Sequence, residues 1–539
     1  MTTRDFTGGL NLNTNIMQLA PNESPDMMNV DVSNGGGFRQ RKAVVGYDYS
    51  FAGYGDIHAY YGSGGNQIIA NDEIIAFTGT AINVYSTPGG SVIDTFTNYR
   101  NHLYPLRSVQ FKDKLYLQNG INAPLRWDGS TDTALTQTYN GDLTAPNDGD
   151  MPIGKCMAVY KGCVFVANTL ESGTNYRSRI RWSHPNQPED YVETHWIDVD
   201  VGTDADGITA LVPFDDRLLI FKRNSVHVLF GDPPENLSVY PLSHDVGTVS
   251  QETVASSPMG VYFFDPNEGV YLYNGRSIEW KFASLYPALQ DGRIPRSASD
   301  LVALGWVDRR LWVGVPWTED ASLDRPTRTF ILDPAVGKNG AWTHYDFGVR
   351  ALLEWAPSDT EPVWLARVGQ YIPIAEGYTN HMSLLNQNQS HDHDGSPGAP
   401  LERRIKGWYT TPWFDLGEPA VKKRWRRPEV VLIDGQDSQV LCKVYKDYDP
   451  TDVKRTMRFI TDANSAGTTT GVWDDVGDEW DVNTWAAESG TRGERWVNDK
   501  GTPIGSARAV ALRFENPPQE VDWGINSLTL KVTPRTVRS

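Results

Sequence analysis

The sequence predicts an all-β protein, a β-propeller of six to eight blades with an additional C-terminal antiparallel β-sandwich. Three observations predict it. Aromatic residues make up 11% of 539 positions beside 49 Gly and 33 Pro, and helix-sustaining runs of Ala, Leu, Glu and Lys are nearly absent; chains built of short strands and tight turns have this composition. A weak unit recurs between residues 57 and 378. Beyond residue 401 the unit stops, and alternating strands of another texture begin.

Each unit holds a short alternating strand, a polar turn, a second strand and a Gly-bearing turn, as in "SVQFKDKLYLQNG", "MAVYKGCVFVAN" and "LGWVDRRLWVGV". Anchored on the first apolar residue after the tight turn, seven units fall at Ile68, Leu115, Val164, Leu218, Val261, Leu311 and Trp364. Their spacings are 47, 49, 54, 43, 50 and 53 residues. Propeller blades of roughly 40–50 residues have this period. Small sandwiches with a strand every roughly 8–12 residues meet the same pattern, so both architectures stay open here, the propeller preferred. The turns "FKDK", "FDDR" and "WVDRR" place Asp and cations at hairpin tips, while "LYL", "LLIF" and "LWVGV" supply strands to bury between neighbouring blades. One blade cannot bury its faces alone, so the ring must close.

In chain order, residues 1–50 read as an assembly arm. "NIMQL" and "MNVDV" look like two strand pieces, and "NGGG" supplies positive-φ positions before Phe38 and the cations Arg39, Arg41 and Lys42. A secretory leader would need an apolar run of roughly 7–15 residues, so the arm is expected in the mature protein. It is expected to clip onto a domain edge, to complete the ring with a strand, or to reach a neighbouring subunit. Deleting residues 1–46 is expected to abolish attachment while leaving a foldable remainder. The propeller is placed at 51–385, a solvated linker at 386–400 and the distal domain at 401–539. A Trp-rich insertion at 472–497 carries Trp473, Trp480, Trp485 and Trp496 as distal contact candidates.

The formal charge of −18 opposes a duplex-coating role. No window offers the ~18 apolar residues of a membrane-spanning helix. Cys156, Cys163 and Cys442 are too few and too irregular for a disulfide framework or a zinc site, which points to maturation in a reducing compartment. "HDHDG" (His391 to Gly395) is the most metal-like string, but its Gly/Pro/Asn setting reads as linker. "DVDVGTDADG" (Asp198 to Gly207) lacks the closing Glu of a calcium loop and reads as a turn. Nucleophile elbow, phosphate loop, dinucleotide fingerprint and paired-His helix are all missing, so no catalytic residue, metal or cofactor is expected. The basic run "KKRWRR" alternates Lys423, Trp425 and Arg427 on one face with Lys422, Arg424 and Arg426 on the other. It is expected as a charged edge strand at a domain or subunit boundary.

The two ends of the chain resemble one family. "DFTGGLN" and "LAPNESPDMMNVDVSNGGGFRQRKAVVGY", with Phe6, Gly8, Gly9, Pro21, Glu23, Asn29, Val30, Asp31, Gly35, Arg39, Arg41 and Gly46, resemble the opening of tail nozzle proteins of short-tailed bacteriophages, which include packaged-DNA stabilisation proteins. "GSARAVALRFENPPQEVDWGINSLTLKVTPRTVR", with Arg508, Arg513, Trp523, Gly524, Asn526 and Ser527, is similar to that group's last two strands. "GWYTTPWFDLGEP" and "KKRWRRPEVVL" look like its lead-in to the distal domain. The resemblance implies a non-catalytic virion protein, a homohexameric ring below the portal and its adaptor ring, assembled in the host cytoplasm. Its partners would be further copies of itself, the adaptor/portal ring, tail fibres or spikes, and genomic DNA passing through the channel without sequence-specific binding. Assembly candidates are Phe6, Gly8, Gly9, Arg39, Arg41, Lys42, Lys423, Arg424, Trp425, Arg426 and Arg427. The alternative expectation is a propeller-based receptor-binding or polysaccharide-degrading tail spike, or a secreted glycan-binding protein.

Overall fold

The computed structural model describes residues 2–3, 5–51, 57–61, 72–77, 82–85, 92–96, 106–136, 150–201, 206–320, 325–355, 363–369, 380–387, 391–393, 402–432, 439–460, 495–497, 503–516 and 523–534. Among them the chain is all-β apart from short helical turns such as Pro287–Gln290. Six four-stranded antiparallel sheets follow one another, beginning at Ile57–Tyr61, Arg107–Phe111, Ile153–Tyr160, Ile208–Phe214, Val254–Ser257 and Ala303–Val307. A seventh begins at Gly348–Trp355.

The six described repeat anchors all occupy the second residue of the second strand: Leu115 in Lys114–Gln118, Val164 in Cys163–Glu171, Leu218 in Arg217–Lys222, Val261 in Gly260–Asp265, Leu311 in Arg310–Val315 and Trp364 in Val363–Gly369. Ile68 lies outside the described residues. Turn chemistry sets this phase. Lys161 and Gly162 (φ +45° and +77°) and Asp308 and Arg309 (φ +48° and +61°) are pairs of positive-φ residues joining adjacent strands, the two-residue hairpin whose twist matches the flanking strands.

The first strand of each sheet packs beside the first strand of the next, and that of the seventh lies against that of the first, so the sheets close into a propeller-like ring. Apolar side chains fill the seams. Tyr116 and Leu135 meet Val164 and Tyr191 between the second and third sheets, and Phe165 and Ile180 meet Leu211 and Ile220 between the third and fourth. Trp312 and Ile331 meet Val349 and Leu385 between the sixth and seventh. The central strands are therefore buried on both faces and read as nearly continuous apolar runs, such as "CVFVA" and "RLLIF".

The N-terminal region supplies the seventh sheet's fourth strand. Ala43–Phe51 pairs antiparallel with Asn380–Gln387, with Val45 opposite Leu384 and Tyr47 opposite Met382. Ring closure thus joins residues more than three hundred positions apart.

Two further sheets hold the C-terminal region. The seven-stranded sheet runs Arg495–Val497, Lys423–Leu432, Gly524–Pro534, Phe38–Gln40, Val30–Val32, with Thr2–Thr3 on Gly524–Pro534 and Gly505–Ala507 on Lys423–Leu432. The five-stranded sheet runs Asp26–Met28, Trp408–Thr410, Val510–Glu515, Gln439–Lys446, Arg455–Ile460. Val430, Leu432, Ile525 and Leu528 of the first belong to one core with Tyr409, Cys442, Leu512 and Phe514 of the second.

The N-terminal segment does clip onto domain edges: Asp26–Met28 and Val30–Val32 are edge strands of the two C-terminal sheets, and Phe6, Met27, Val30 and Phe38 are buried in that core. Other expectations need correction. A deletion of 1–46 would remove structure, not an appendage. "NIMQL" is a turn, because Asn15 accepts from the Met17 amide with its side chain (3.0 Å) and from the Gln18 amide with its carbonyl (2.7 Å). The basic strand Lys423–Leu432 is interior, flanked by Gly524–Pro534 on one side and by Arg495–Val497 and Gly505–Ala507 on the other. Alternation reports which face a residue takes, not who its neighbours are. The supposed linker contains His391–His393, which pairs with Glu402–Arg404 and bridges to Ala43–Phe51.

Candidate functional site

The stretch "FRQRKA" crosses from one body to the other: Phe38–Gln40 is a strand of the seven-stranded sheet, and Ala43 opens the strand that completes the ring. Arg41 sits at the crossing, fully buried. Its guanidinium meets Asp392 along two parallel bonds (2.8 and 2.6 Å). Its Nε donates to Asn29 Oδ1 (2.9 Å), one terminal nitrogen reaches the Lys42 carbonyl (3.0 Å), and the plane lies over Phe347 at 4.8 Å. Asp392 also accepts from the Val44 amide (2.9 Å). The fork geometry of arginine suits this arrangement, and a lysine could not reproduce it.

Asn29 ties three segments together. It adopts a left-handed conformation (φ +53°), which Asn tolerates better than most residues. Its amide nitrogen donates to the Lys406 carbonyl (2.7 Å), its backbone N–H to His344 of the sixth sheet (2.7 Å), and its side-chain oxygen accepts from the Asp346 amide (3.2 Å). Two residues on, Asp31 accepts from Arg310 (3.0 Å) and from the Tyr345 hydroxyl. Burial, then the Asp31 carboxylate, pushes the Tyr345 phenol well above its ordinary range, so it stays a donor.

Beneath this polar layer is an aromatic one. Phe38 stacks on Tyr409 (4.3 Å) and meets Trp523 edge-on (5.9 Å), while Phe6 packs edge-on against Phe38 (5.0 Å) and Tyr409 (5.4 Å). Gly9 lets the chain pass the ring: at φ +64°, a Cβ there would lie 2.6 Å from the Trp342 carbonyl oxygen. A Cβ on Gly8 would stand 2.6 Å from Glu23 Cγ.

The joint thus gathers Phe6, Gly8, Gly9 and Arg41 from the candidates. The basic strand divides. Lys423 is buried with its ammonium on the carbonyls of Glu418, Val421 and Arg508, and Trp425 is buried with its indole N–H on Ala507 (3.1 Å). Arg424, Arg426 and Arg39 are exposed and Lys42 is half-buried. The side chain of Arg427 and Trp473, Trp480 and Trp485 lie outside the described residues, and Trp496 is described only as a strand residue opposite Val431. Sequence reasoning missed Arg310 and Tyr345; it named Asp31 only as a residue of the resemblance and met Asp392 only inside "HDHDG". The usable signal was Asn29 before "VDV", a residue type that marks backbone breaks.

His344 contributes pH dependence. It is half-buried, stacked on Phe330 (4.6 Å), and its separation from water, then Arg328 and Arg293, push its imidazole down to about 3. An unfolded chain takes up that proton near pH ~6.5. Between those limits the unfolded state holds more protons, so stability falls as pH falls, by about 1.4 kcal/mol per unit from this group alone. His344→Phe should flatten the stability profile between pH 6 and 4 by about that slope. Denaturant titrations across that range check it, and parallel profiles for wild type and variant would refute it.

Among the described residues no three metal-ligating side chains gather, and the three cysteines are buried thiols outside any disulfide. Burial pushes the Cys156 and Cys163 thiols up to about 12, far from nucleophilic thiolates. The joint's own chemistry is that of a fastener, with paired charges and stacked rings.

No family model and no curated protein sequence matches the chain. Among solved structures, it is similar to BamB from Moraxella catarrhalis, at a TM-score of 0.37 and 10% identity over 67% of this chain and 93% of that one. It is also similar to BBS1N in complex with ARL6DN, at a TM-score of 0.39 and 12% identity over 66% of this chain and 98% of that one. Likenesses this distant bear on no question of function; by its own strand pairing the chain is an all-β protein of many four-stranded antiparallel sheets.

Proposed function

We propose that this chain is a non-catalytic virion protein, a seven-bladed β-propeller with a fused β-sandwich. Six copies form a ring-shaped tail nozzle beneath the portal and adaptor, through which the genome is retained and ejected. The observation that carries the reading is convergence. The three stretches bearing the family resemblance lie far apart in sequence, yet Phe6 and Phe38 from the first, Tyr409 from the second and Trp523 from the third share one aromatic cluster. A set of strings that resembled the family by chance would have no reason to meet in one joint. The negative charge of the chain suits a channel wall, because like-charge repulsion keeps DNA sliding while counterions screen it within about 8–10 Å.

Single-particle imaging of the virion, or of the chain co-expressed with its portal and adaptor neighbours, tests this. A six-fold ring below the portal with an axial channel is expected. Monomers, or peripheral trimers pointing outward, would discard the nozzle and bring the receptor-binding or glycan-cleaving spike forward.

A further inference from the structure

The outer face of the seven-stranded sheet carries charge opposite in sign to that of the chain as a whole. Lys423 and Trp425 turn inward, and Lys422, Arg424 and Arg426 alternate with them and are exposed. Arg424 lies opposite Thr533 on one neighbouring strand and Ser506 on the other, and exposed Lys531 and Arg508 stand nearby on the same strands or their ends. Glu429 is ion-paired with Lys531. Buried or half-buried arginines of the fold are matched to carboxylates, as with Arg41 and Asp392, Arg181 and Glu171, Arg310 and Asp31, and Arg328 and Asp320, whereas exposed ones such as Arg223 and Arg276 stand singly. Among the described residues Arg424 and Arg426 have no such partner. At alternate positions on a strand they stand roughly 6.6 Å apart and repel each other. In a chain with 67 acidic and 49 basic residues, two neighbouring arginines without an acid are not explained by scarcity.

A surface of the opposite sign lies at one end of the ring. The Tyr160 hydroxyl donates to the carbonyls of Asp216 (2.5 Å) and Gly231 (3.3 Å), which holds the hairpin tip beside the loop "GDPPEN". Asp215, Asp216, Asp232 and Glu235 gather there against Lys161 and Arg217, with the Asp216 and Asp232 side chains 73% and 81% exposed.

We propose that the basic face around Arg424 and Arg426 in one copy docks on the acidic end around Asp216, Asp232 and Glu235 of the next. The inference rests on the ring reading above and gives that ring its contact. Two different surfaces of one chain meet head to tail, and such contacts close into rings when the rotation permits. A second copy is the favoured occupant because it carries an exposed acidic surface complementary to this face, and the net charge of −18 sets a long-range repulsion against DNA.

The experiment uses the full chain and two variants, R424Q/R426Q and D216N/D232N/E235Q, followed by native mass spectrometry and sedimentation at low and high salt. All substituted residues are exposed, so thermal unfolding should match wild type. Each variant alone should associate at least about tenfold more weakly than wild type. Their mixture should form a two-chain complex that grows no further, because one intact basic face meets one intact acidic end and the other surfaces are blank. Rings formed equally well by both variants would overturn this interface and leave the ring reading standing. So would loss of DNA binding, without loss of self-association, in R424Q/R426Q. So too would a deletion of 461–494 that weakens self-association about tenfold while D216N/D232N/E235Q assembles as wild type does. A wild-type chain that stays monomeric with its portal and adaptor neighbours would remove the ring reading, and this proposal with it.

Discussion

A chain lacking residues 1–40 is expected to lose its C-terminal body altogether, not merely an assembly handle. The missing segment holds Val30–Val32 and Phe38–Gln40 at one side of the seven-stranded sheet, Thr2–Thr3 on Gly524–Pro534, and Asp26–Met28 at the edge of the five-stranded sheet. It also removes Phe6, Leu10, Met27, Val30, Val32 and Phe38 from a single apolar core. Each such side chain contributes about 1.5–3 kcal/mol when fully buried. Six together approach or exceed about 10 kcal/mol, the scale of a whole domain's stability of roughly 5–15 kcal/mol. Tyr409 and Trp523 would lose their ring partners and face water. Near-ultraviolet circular dichroism, dye binding to exposed apolar surface and soluble yield measure the effect. The expected truncated chain is aggregation-prone, with residual β signal from the ring sheets. A truncated chain that melts cooperatively at the wild-type temperature would show that residues 402–534 fold without the N-terminal strands, and that the pairing described above is dispensable.

That result would also bear on what a sequence can disclose. The ring's repeat was legible because hairpins are local: Lys161–Gly162 and Asp308–Arg309 carry their turn geometry within two residues, and the anchors Val164 and Leu311 follow them. The alternation of Lys423 and Trp425 with Arg424 and Arg426 was legible for the same reason, since the two-residue period is a property of the strand itself. What escaped was everything set by distant partners. "HDHDG" has the polarity of a solvated connection, and only Arg41, 351 positions away, turns Asp392 into a buried anchor. "NIMQL" shows the apolar content of a strand, yet the Asn15 side chain competes for a nearby backbone N–H and the turn prevails. Ring closure by Ala43–Phe51 was one of three open fates for the N-terminal region, because nothing in that strand names Asn380–Gln387 as its neighbour.

Replacing Arg41 by methionine should be the most damaging single substitution at the joint, costing about 3–5 kcal/mol, because it strands a buried carboxylate. Asp392 is 4% exposed, and among the described residues the Val44 amide would be left as its hydrogen-bond donor. The change also leaves Asn29 Oδ1 with only the longer Asp346 bond and strips the cation from the faces of Phe347 and Tyr345. Arg41→Lys should recover less than half of the loss, since an ammonium is a point charge and cannot hold both carboxylate oxygens in one plane. Asp392→Leu alone should be similarly costly, for it leaves an uncompensated guanidinium with Asp346 at 3.8 Å as its nearest remaining acid. The double variant R41M/D392L separates pairing from packing. If the cost of each single change is the orphaned charge, the double should be milder than the sum by about 2 kcal/mol or more, in the range of coupling seen for contacting residues. Strict additivity would mean that the two side chains act independently and that the parallel bonds contribute little. The joint also makes a second, qualitative demand. Arg41 stands two residues from the strand that closes the ring and one from a strand of the seven-stranded sheet, so ring and C-terminal sheets should lose cooperativity together: wild type unfolding in one transition, Arg41→Met in two, with the C-terminal body melting first because it has the N-terminal strands to lose.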